Sequence, residues 1–285
     1  GVMKTDNHSA TELHKLGEHF HRFGYAVLAD AVTVEECERL KSQALSLTRT
    51  LDSPGPRHRF TTDETRRVAD RYFLDSGRGI RVFYEDTEVN GGDEHRPNKL
   101  GHGLHDKDPT FARFSRSSLF SRLAQAVGFR DPILIQSMYI FKGSGGGGRV
   151  AWHQDATFLH SEPVTVVGIW VALDHAHQDN GCLHVIPGGH QGPLRRRMVR
   201  DKNDQTRFIE MSDEPFELGL AIPLEVSRGS IVLLHGLLPH FSEVNKSPMA
   251  REAYTLHIIE RDAHYSQDNW LCPQDGDPWT GFENP

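Results

Sequence analysis

Six short apolar segments from residue 133 onward constrain the fold of the chain more than any other feature of the sequence. Each segment is rich in β-branched and aromatic residues, and Gly, Pro or Asn residues typical of turns separate them. Short strands joined by such turns favour an antiparallel sandwich or barrel over a wound α/β sheet. The predicted strands are residues 133–141, 164–173, 182–186, 221–226, 230–234 and 251–260.

The first part of the chain instead predicts helices around a short strand. Thr33 followed by Glu36 has the spacing of a capping box, and apolar residues recur behind it every three or four positions. A second helix is predicted to begin at Asp108, where a proline follows, and to end at Gly128. Between these helices, the polar and glycine-containing residues 86–98 predict a loop.

The length of 285 residues allows two ordinary domains or one elaborated β domain. A helical layer packed on a β-barrel is the simplest architecture that uses both kinds of segment. We therefore predict a mainly β fold in a single domain over residues 1–285. Its parts are a helical amino-terminal layer at about 1–131, a β core at about 132–262 and a carboxy-terminal tail at 263–285.

Charge and composition narrow the classes of partner. Lys and Arg number 32 against 39 Asp and Glu, and the resulting net charge of −7 gives no general attraction to nucleic acid or anionic lipid. No stretch approaches the ~18 consecutive apolar residues that a membrane helix needs. We therefore expect a small-molecule substrate, no nucleic-acid partner and no membrane partner; the sequence leaves the oligomeric state open and is compatible with a monomer.

The cysteines and the chain ends bear on the compartment. Cys37, Cys182 and Cys272 are an odd number at wide spacing, which is typical of reduced thiols rather than of a disulfide framework. The amino-terminal residues are polar without the apolar core of a secretion signal, and the last residues do not form a Ser-Lys-Leu-type peroxisomal signal. We therefore expect an intracellular protein, cytoplasmic rather than peroxisomal.

Two segments match anion-binding motifs only in part. Residues 143–148 have the glycine spacing of a phosphate loop, but Arg149 and Val150 stand where such a loop has Lys and Ser or Thr. No helix pattern follows, so a flexible linker between two strands is the simpler interpretation. The basic run at 195–200 is either a solvated face or an anion-binding surface.

The strongest chemical signal is the segment Trp152-His153-Gln154-Asp155. Residues two apart in an extended segment point to the same side, so His153 and Asp155 can contact one ion together. A lone His-x-Asp pair is common by chance, and on its own it favours a hydrogen-bonded surface pair. A metal site therefore needs a third ligand from elsewhere in the sequence.

Two histidines downstream, His235 and His240, are candidates for the third ligand. Turn residues at 245–248 follow, and a predicted strand begins at Arg251. If the flanking strands form a hairpin, the midpoint between His240 and Arg251 falls within this turn, so these two residues lie on adjacent strands. The same hairpin places His235 opposite Leu256, with no charged neighbour. We therefore predict His240 as the third ligand and His235 as a structural residue.

His153, Asp155 and His240 together have the composition of the facial triad of non-haem iron(II) oxygenases. Such a triad leaves three positions on the ion, of which a 2-oxo acid can chelate two and O2 can take the third. The guanidinium of Arg251 can bind the distal carboxylate of that acid through two parallel hydrogen bonds. Zinc accepts the same ligands, but a zinc hydrolase usually needs a general base near the bound water, and the sequence shows no obvious one.

Further motifs accompany these residues along nearly the whole chain. They are residues 101–105, 136–141, 153–155, 180–183 and 186–190, and His240 with Arg251 eleven positions later. Together they resemble the phytanoyl-CoA dioxygenase family of iron- and 2-oxoglutarate-dependent oxygenases. The resemblance implies a double-stranded β-helix, a cupin-like jelly-roll barrel with helices outside, which agrees with the predicted strands.

The resemblance also implies roles for eight residues. Among them Ser242, two positions past His240, would add a hydroxyl donor to the distal carboxylate of the cosubstrate. From periodicity alone, the Met and Trp of this set would be assigned to core packing. The resemblance assigns iron binding to His153, Asp155 and His240, and 2-oxoglutarate binding to Lys99, Met138, Trp170, Ser242 and Arg251.

The expected function is oxidative decarboxylation of 2-oxoglutarate to succinate and CO2, with iron(II) and O2, coupled to hydroxylation of a small molecule. Phe158 and Leu159 predict a partly hydrophobic substrate, and the sequence places no cation cluster for a CoA ester near the iron. We therefore expect that the substrate is not phytanoyl-CoA. A halogenase would carry a small residue in place of Asp155. A non-catalytic jelly roll that senses a metal and a 2-oxo acid stays open as an alternative.

Overall fold

The computed structural model of the chain describes residues 7–51, 59–60, 71–85 and 96–283. The α-helices in these ranges lie before residue 127, and no helix there is both long and apolar enough to cross a membrane. They are α1 (Ala10–Phe23), α2 (Val34–Leu51), α3 (Arg71–Asp75), α4 (Leu104–Lys107), α5 (Pro109–Ser115) and α6 (Ser118–Ala126).

Local side chains explain the ends of the first two helices. α1 ends at Gly24, whose φ of 81° lies in the left-handed region that glycine adopts without strain. Thr33 caps α2, since its hydroxyl accepts a hydrogen bond from the backbone N–H of Glu36 at 3.2 Å. The carboxylate of Glu36 binds Arg39 at 2.6 Å instead of closing the predicted capping box.

The single helix predicted between Asp108 and Gly128 is two helices. Asp108 begins α5 as predicted, because its carboxylate accepts two backbone N–H groups of that helix at 3.0 Å. The chain leaves helical geometry after α5, and Ser117 caps α6 through a bond from the N–H of Phe120 at 3.5 Å. This second cap accounts for the break, which the apolar periodicity alone does not reveal.

The strands form two main sheets and two small ones. They are β1 (Tyr25–Leu28), β2 (Arg59–Phe60), β3 (Ile80–Glu85), β4 (Pro97–His102), β5 (Pro132–Ile140), β6 (Val150–His153), β7 (Ser161–Glu162), β8 (Val167–Ala172), β9 (Leu183–Val185), β10 (Arg196–Arg200), β11 (Thr206–Glu210), β12 (Ile222–Leu224), β13 (Ile231–His235), β14 (His240–Ser242), β15 (Ala253–Glu260) and β16 (His264–Tyr265). The large sheet has the order β1-β13-β8-β15-β5-β4-β3-β2, and the opposing sheet has the order β12-β9-β14-β6. The pairs β10-β11 and β7-β16 form the small sheets.

The order of the strands is that of a double-stranded β-helix. From β5 onward the chain places β5, β8, β13 and β15 in the large sheet and β6, β9, β12 and β14 in the opposing sheet. Trp170 and Leu234 from the large sheet pack with Leu183 from the opposing sheet, and all three are buried. The predicted mainly β jelly roll with an amino-terminal helical layer is therefore confirmed.

All six predicted strands are present, with ends shifted by up to three residues. The prediction for the amino-terminal part is incomplete, because β1, β3 and β4 extend the large sheet. Residues 97–98, predicted as loop, belong to β4, whereas residues 86–95 lie outside the described residues. Pairing of β4 with β3 and β5 supplies its backbone hydrogen bonds, so tertiary context overrides the polar local sequence.

The predicted hairpin between His240 and Arg251 is wrong. β14 pairs with β6 and β9 in the opposing sheet, whereas β15 pairs with β5 and β8 in the large sheet. The turn at 245–248 therefore lies on a connection that crosses from one sheet to the other. His235 is opposite Val167 of β8 and not opposite Leu256.

The helices cover the outer face of the large sheet. Leu16, Leu40 and Phe114 from three helices belong to the same buried cluster as Tyr254 of β15. Phe111 of α5 stacks on Tyr254 with ring centroids 5.1 Å apart. Because the helices occupy this face, the other face of the large sheet is left to line the interior of the barrel.

Candidate metal centre and cosubstrate pocket

Strands β6 and β14 bring two histidines and a carboxylate to one point. β6 ends at His153, β14 begins at His240, and antiparallel pairing places these residues opposite one another. Asp155 follows two positions after His153. The side chain of Gln154 between them points the other way, where its amide binds three backbone groups at 2.9–3.0 Å. His153 and Asp155 therefore lie on the same side, as their spacing predicts.

The three side chains converge as electron-pair donors. The Nε2 atoms of His153 and His240 lie 3.4 and 3.3 Å from Oδ1 of Asp155. Their Nδ1 atoms lie 2.8 and 2.9 Å from the carbonyl oxygens of Ala151 and Leu238. Because a carbonyl oxygen only accepts hydrogen bonds, each Nδ1 carries a hydrogen, and Nε2 is the nitrogen that faces Oδ1 and can offer its lone pair to a cation.

A cation fits this arrangement. The ligand atoms of His153, Asp155 and His240 all lie within 4.8 Å of one another, and no other such group occurs among the described residues. Two imidazoles and one carboxylate are the ligand set of non-haem iron(II) centres, with further positions free for a chelating cosubstrate and O2. The site therefore has the donors that the predicted iron requires.

The charges of the three residues follow from burial and from each other. Burial alone would raise the pKa of Asp155, but His240 and His257 hold that pKa well below its usual range. Burial lowers the pKa of His153, and the neighbouring His240 lowers it further. Burial opposes the charged form of His240 as well, yet the carboxylate of Asp155 outweighs it and raises the pKa. An ionised carboxylate next to a neutral His153 is a suitable state for binding a cation.

Arg251 lies in the same cavity as the three candidate ligands. The cavity has a volume of about 200 Å³ and is mainly apolar. The side chain of Arg251 is buried, its Cζ lies 5.2 Å from the ring centroid of Trp170, and its Nε and Nη1 have no hydrogen-bond partner in the described parts of the chain. Burial lowers its pKa to about 10, so it stays charged at neutral pH. A buried cation with unused donors favours an anionic ligand.

The other predicted cosubstrate residues line this cavity too. Lys99 lies with its Nζ 3.8 Å from the Met138 sulfur and 5.3 Å from the ring centroid of Phe83. Ser242 lies two residues after His240 on β14. The structure thus brings all eight predicted residues to one cavity, lined by His153, Asp155 and His240 and by Lys99, Met138, Trp170, Ser242 and Arg251.

His235 lies elsewhere. Its ring packs against His190 and Phe20, at centroid distances of 5.0 and 5.9 Å, and its Nδ1 accepts a hydrogen bond from the N–H of Leu237. Burial lowers its pKa to about 4. The geometry selects His240 over His235, although the hairpin from which that choice was argued does not exist.

Two residues next to the candidate ligands and cosubstrate residues were not predicted from the sequence. Lys142 is buried two residues after the end of β5, and its Nζ donates to the carbonyl of Gly148 at 2.7 Å and to the hydroxyl of Ser242 at 3.1 Å. Burial lowers its pKa well below the usual range, with Arg251 nearby acting in the same direction. His257 of β15 bonds to Asp155. A lysine at the end of an apolar strand, and a histidine six positions after Arg251 on the same strand face, are the signals that could have identified them.

Two loop segments near the cavity can be compared with their predicted roles. Residues 143–148 form a turn in which Gly147 bridges Asn245, and no helix follows, so this segment is a connection between strands as predicted. Phe158 and Leu159, which predicted a partly hydrophobic substrate, both line the cavity, and Leu159 is buried.

The basic run lies closer to the candidate centre than the sequence indicated. A second cavity of about 270 Å³ shares Trp152 and His153 with the first, and Arg195 and Arg196 contribute to its walls. Acidic side chains, including Glu210, line it as well.

A jelly roll with a 2-His-1-carboxylate centre and a buried arginine defines the class of 2-oxo-acid-dependent iron oxygenases. The chain belongs to the phytanoyl-CoA dioxygenase family, whose sequence pattern matches residues 20–253. It is similar to the phytanoyl-CoA dioxygenase domain-containing protein 1 homolog of Dictyostelium discoideum, with 38% identity over 88% of this chain and 93% of that protein. It is also similar to phytanoyl-CoA dioxygenase domain-containing protein 1 of Bos taurus, with 40% identity over 89% of this chain and 92% of that one.

A solved structure shares the fold. The epimerase SnoN, in complex with Fe3+, alpha ketoglutarate and nogalamycin RO, aligns with a TM-score of 0.64 over 91% of this chain and 88% of that chain, at 17% identity. The family and the His-Asp-His group confirm the prediction of an iron- and 2-oxoglutarate-dependent dioxygenase.

Proposed function

We propose that this dioxygenase hydroxylates a partly hydrophobic small molecule, other than phytanoyl-CoA, while it converts 2-oxoglutarate to succinate and CO2. In this proposal His153, Asp155 and His240 hold iron(II), and Arg251 binds the distal carboxylate of 2-oxoglutarate. The observation that carries the proposal is a buried guanidinium with unused donors in the same cavity as three converging metal ligands. Iron bound there would supply the activation of O2.

The residues around Arg251 are suited to a dicarboxylate cosubstrate. The guanidinium offers parallel donors for one carboxylate, and burial strengthens such a charge-assisted pair. Lys142 donates to the oxygen of Ser242, so the Ser242 hydroxyl hydrogen is directed elsewhere and can bind the same carboxylate. Trp170 under the guanidinium fixes its plane. These side chains would bind and orient the cosubstrate relative to the metal ligands.

The cavity wall supports a partly hydrophobic substrate. Aromatic rings of Phe73, Trp152, Phe158 and Trp270 line the cavity with the candidate ligands. Trp152 stacks on Phe241 at a centroid distance of 5.3 Å, which holds one aromatic wall in place. Such walls exclude water from the reacting centre and favour oxidation of an apolar part of the substrate.

The arginines of the basic run give little support to binding of a CoA ester. The guanidinium of Arg195 donates to the carbonyl oxygens of Pro193 and Glu214, and Arg197 binds Asp268 at 2.5 Å. Arg200 binds Asp204 at 2.8 Å. Because these cations already have acceptors, the phosphates of CoA would have to displace existing bonds, which favours a substrate without a polyanionic carrier.

Anaerobic loading with iron(II), followed by admission of O2, tests the proposal. We expect succinate and CO2 from 2-oxoglutarate at a low rate without substrate, and no increase on addition of phytanoyl-CoA. A panel of partly hydrophobic small molecules should contain compounds that increase succinate and gain one hydroxyl. Hydroxylation of phytanoyl-CoA in stoichiometric yield with succinate would contradict the substrate proposal. Binding of metal and 2-oxoglutarate without any succinate would favour the non-catalytic sensor.

A further inference from the structure

A buried histidine outside the candidate triad bonds to its carboxylate. His257 lies on β15 with 4% of its surface exposed, and its Nε2 is 3.1 Å from Oδ2 of Asp155. Its Nδ1 is 3.2 Å from the side-chain amide nitrogen of Gln136 on the neighbouring strand β5. Both ring nitrogens therefore have partners, and the chain Gln136–His257–Asp155 leads from the large sheet to the candidate metal centre.

The direction of these bonds follows from the chemistry of the groups. An ionised carboxylate only accepts hydrogen bonds, so the hydrogen between His257 and Asp155 belongs to Nε2. The amide nitrogen of Gln136 is a donor, so Nδ1 accepts the bond from Gln136. His257 is thus a donor to the carboxylate and not a competitor for a metal.

The two oxygens of Asp155 have different surroundings. Oδ1 faces the Nε2 atoms of His153 and His240 at 3.4 and 3.3 Å, whereas Oδ2 accepts the bond from His257. Gly168 closes the space beneath, because a Cβ there would lie 3.1 Å from Oδ2 and 3.4 Å from Nε2 of His257. The carboxylate is therefore held in one orientation, with a single oxygen directed to the centre.

We propose that His257 is a positioning residue that keeps Asp155 a one-oxygen ligand, so that the metal retains its positions for 2-oxoglutarate and O2. If Oδ2 were released, the carboxylate could rotate; it would then hold the ion less firmly and could enter a position that the cosubstrate needs. Removal of a hydrogen-bonded partner of a metal ligand typically lowers metal affinity about 10–100-fold. This inference rests on the proposed metal site.

Substitution of His257 tests the proposal through binding as well as turnover. In His257→Leu, we expect anaerobic iron(II) affinity by titration to fall about 10-fold or more. We also expect a shifted charge-transfer absorption of the iron(II)–2-oxoglutarate complex, because the coordination changes. His257→Gln keeps a side-chain N–H donor and should recover most of the affinity and the absorption. His264→Ala, an exposed histidine on β16, is the matched control and should behave as the wild type.

The outcomes separate this inference from the proposed function. Unchanged iron(II) affinity and absorption in a folded His257→Leu would overturn the positioning role, while the wild type still bound metal. Failure of the wild type to bind iron(II) would instead refute the metal site itself. If His257→Leu does not fold, Gln136→Leu takes its place, because it removes only the partner of Nδ1. Weaker iron(II) binding in that variant supports the inference, and wild-type binding overturns it.

Discussion

Arg251 is the residue on which the cosubstrate assignment depends most. In Arg251→Ala, we expect 2-oxoglutarate affinity to fall about tenfold or more, because a charge-assisted pair contributes about 1.5–3 kcal/mol. Arg251→Lys restores the charge without the planar fork and should recover only part of the affinity. Calorimetric titration of the metal-loaded protein measures both, and Arg130→Ala, with 81% of its side chain exposed, is the control. Unchanged affinity in Arg251→Ala would remove the anchor role.

Lys142 and Ser242 should act as a pair. Because Lys142 donates to the Ser242 oxygen, loss of either group removes one oriented hydroxyl donor. One hydrogen bond of about 0.5–1.5 kcal/mol corresponds to a roughly two- to tenfold loss of 2-oxoglutarate affinity in Lys142→Met or in Ser242→Ala. The double variant should lose little more than either single one. Additive losses would show that the two residues contribute independently.

The sequence predicted the candidate metal ligands better than the residues that contact them and the cosubstrate residues. The two-residue spacing of His153 and Asp155 in an extended segment dictates a shared side, and the structure shows it. Lys142 and His257 were missed because their importance comes from contacts with residues about 100 positions away, at Ser242 and Asp155 respectively. Local periodicity carries no information about such contacts.

At the scale of elements, the connection between β14 and β15 decides where Arg251 lies. Turn residues at 245–248 are typical of a hairpin, but the strands that they join pair with different sheets. The choice between a hairpin and a crossing depends on which partners offer free edges, and that is a property of the whole barrel. The strands themselves were predictable, since burial on both sides gives them continuous apolar sequences.

Asn245 holds this connection in place. Its side-chain N–H group donates to the carbonyls of Lys142 and Met249 at 3.0 and 2.8 Å, and the residue is fully buried. In Asn245→Ala we expect the free energy of unfolding to fall by about 1–3 kcal/mol, because two buried hydrogen bonds are lost. Since the N–H of Arg251 also binds the Lys142 carbonyl, 2-oxoglutarate affinity should fall as well. Denaturant unfolding and titration measure the two effects.

The exposed Asn203 provides the comparison for this prediction. Asn203→Ala should leave both the unfolding free energy and the 2-oxoglutarate affinity close to the wild-type values. Wild-type stability in Asn245→Ala would show that the connection is held by other contacts.

At the scale of the whole molecule, we propose that the helical layer and the barrel form one domain. Leu16 of α1 and Phe114 of α5 share a buried cluster with Tyr254 of the central strand β15. If the helices and the large sheet were separated, these apolar side chains would be exposed to water, which is unfavourable. The short apolar segments and the turns between them predicted the mainly β class, whereas the strands that extend the large sheet from the amino-terminal part depend on long-range pairing.

The fold should lose stability in mild acid. Burial lowers the pKa of His105 and of His235 to about 4, against an ordinary value of 6.5. Between these values the unfolded chain takes up protons that the folded protein does not, so stability is present above pH 6.5 and is lost as the pH falls toward 4. Thermal unfolding across this range should show a falling midpoint, with a shallower pH dependence in His105→Gln. An unchanged slope in that variant would contradict the assignment.

The most direct test of the central claim is succinate formation from 2-oxoglutarate when O2 is admitted to anaerobic, iron(II)-loaded protein. The account predicts succinate from the wild type and from His235→Ala, and none above the metal-free background from His240→Ala. Binding of iron(II) should be lost in His240→Ala and retained in His235→Ala. Full succinate formation by His240→Ala, with loss in His235→Ala, would contradict the proposed metal centre.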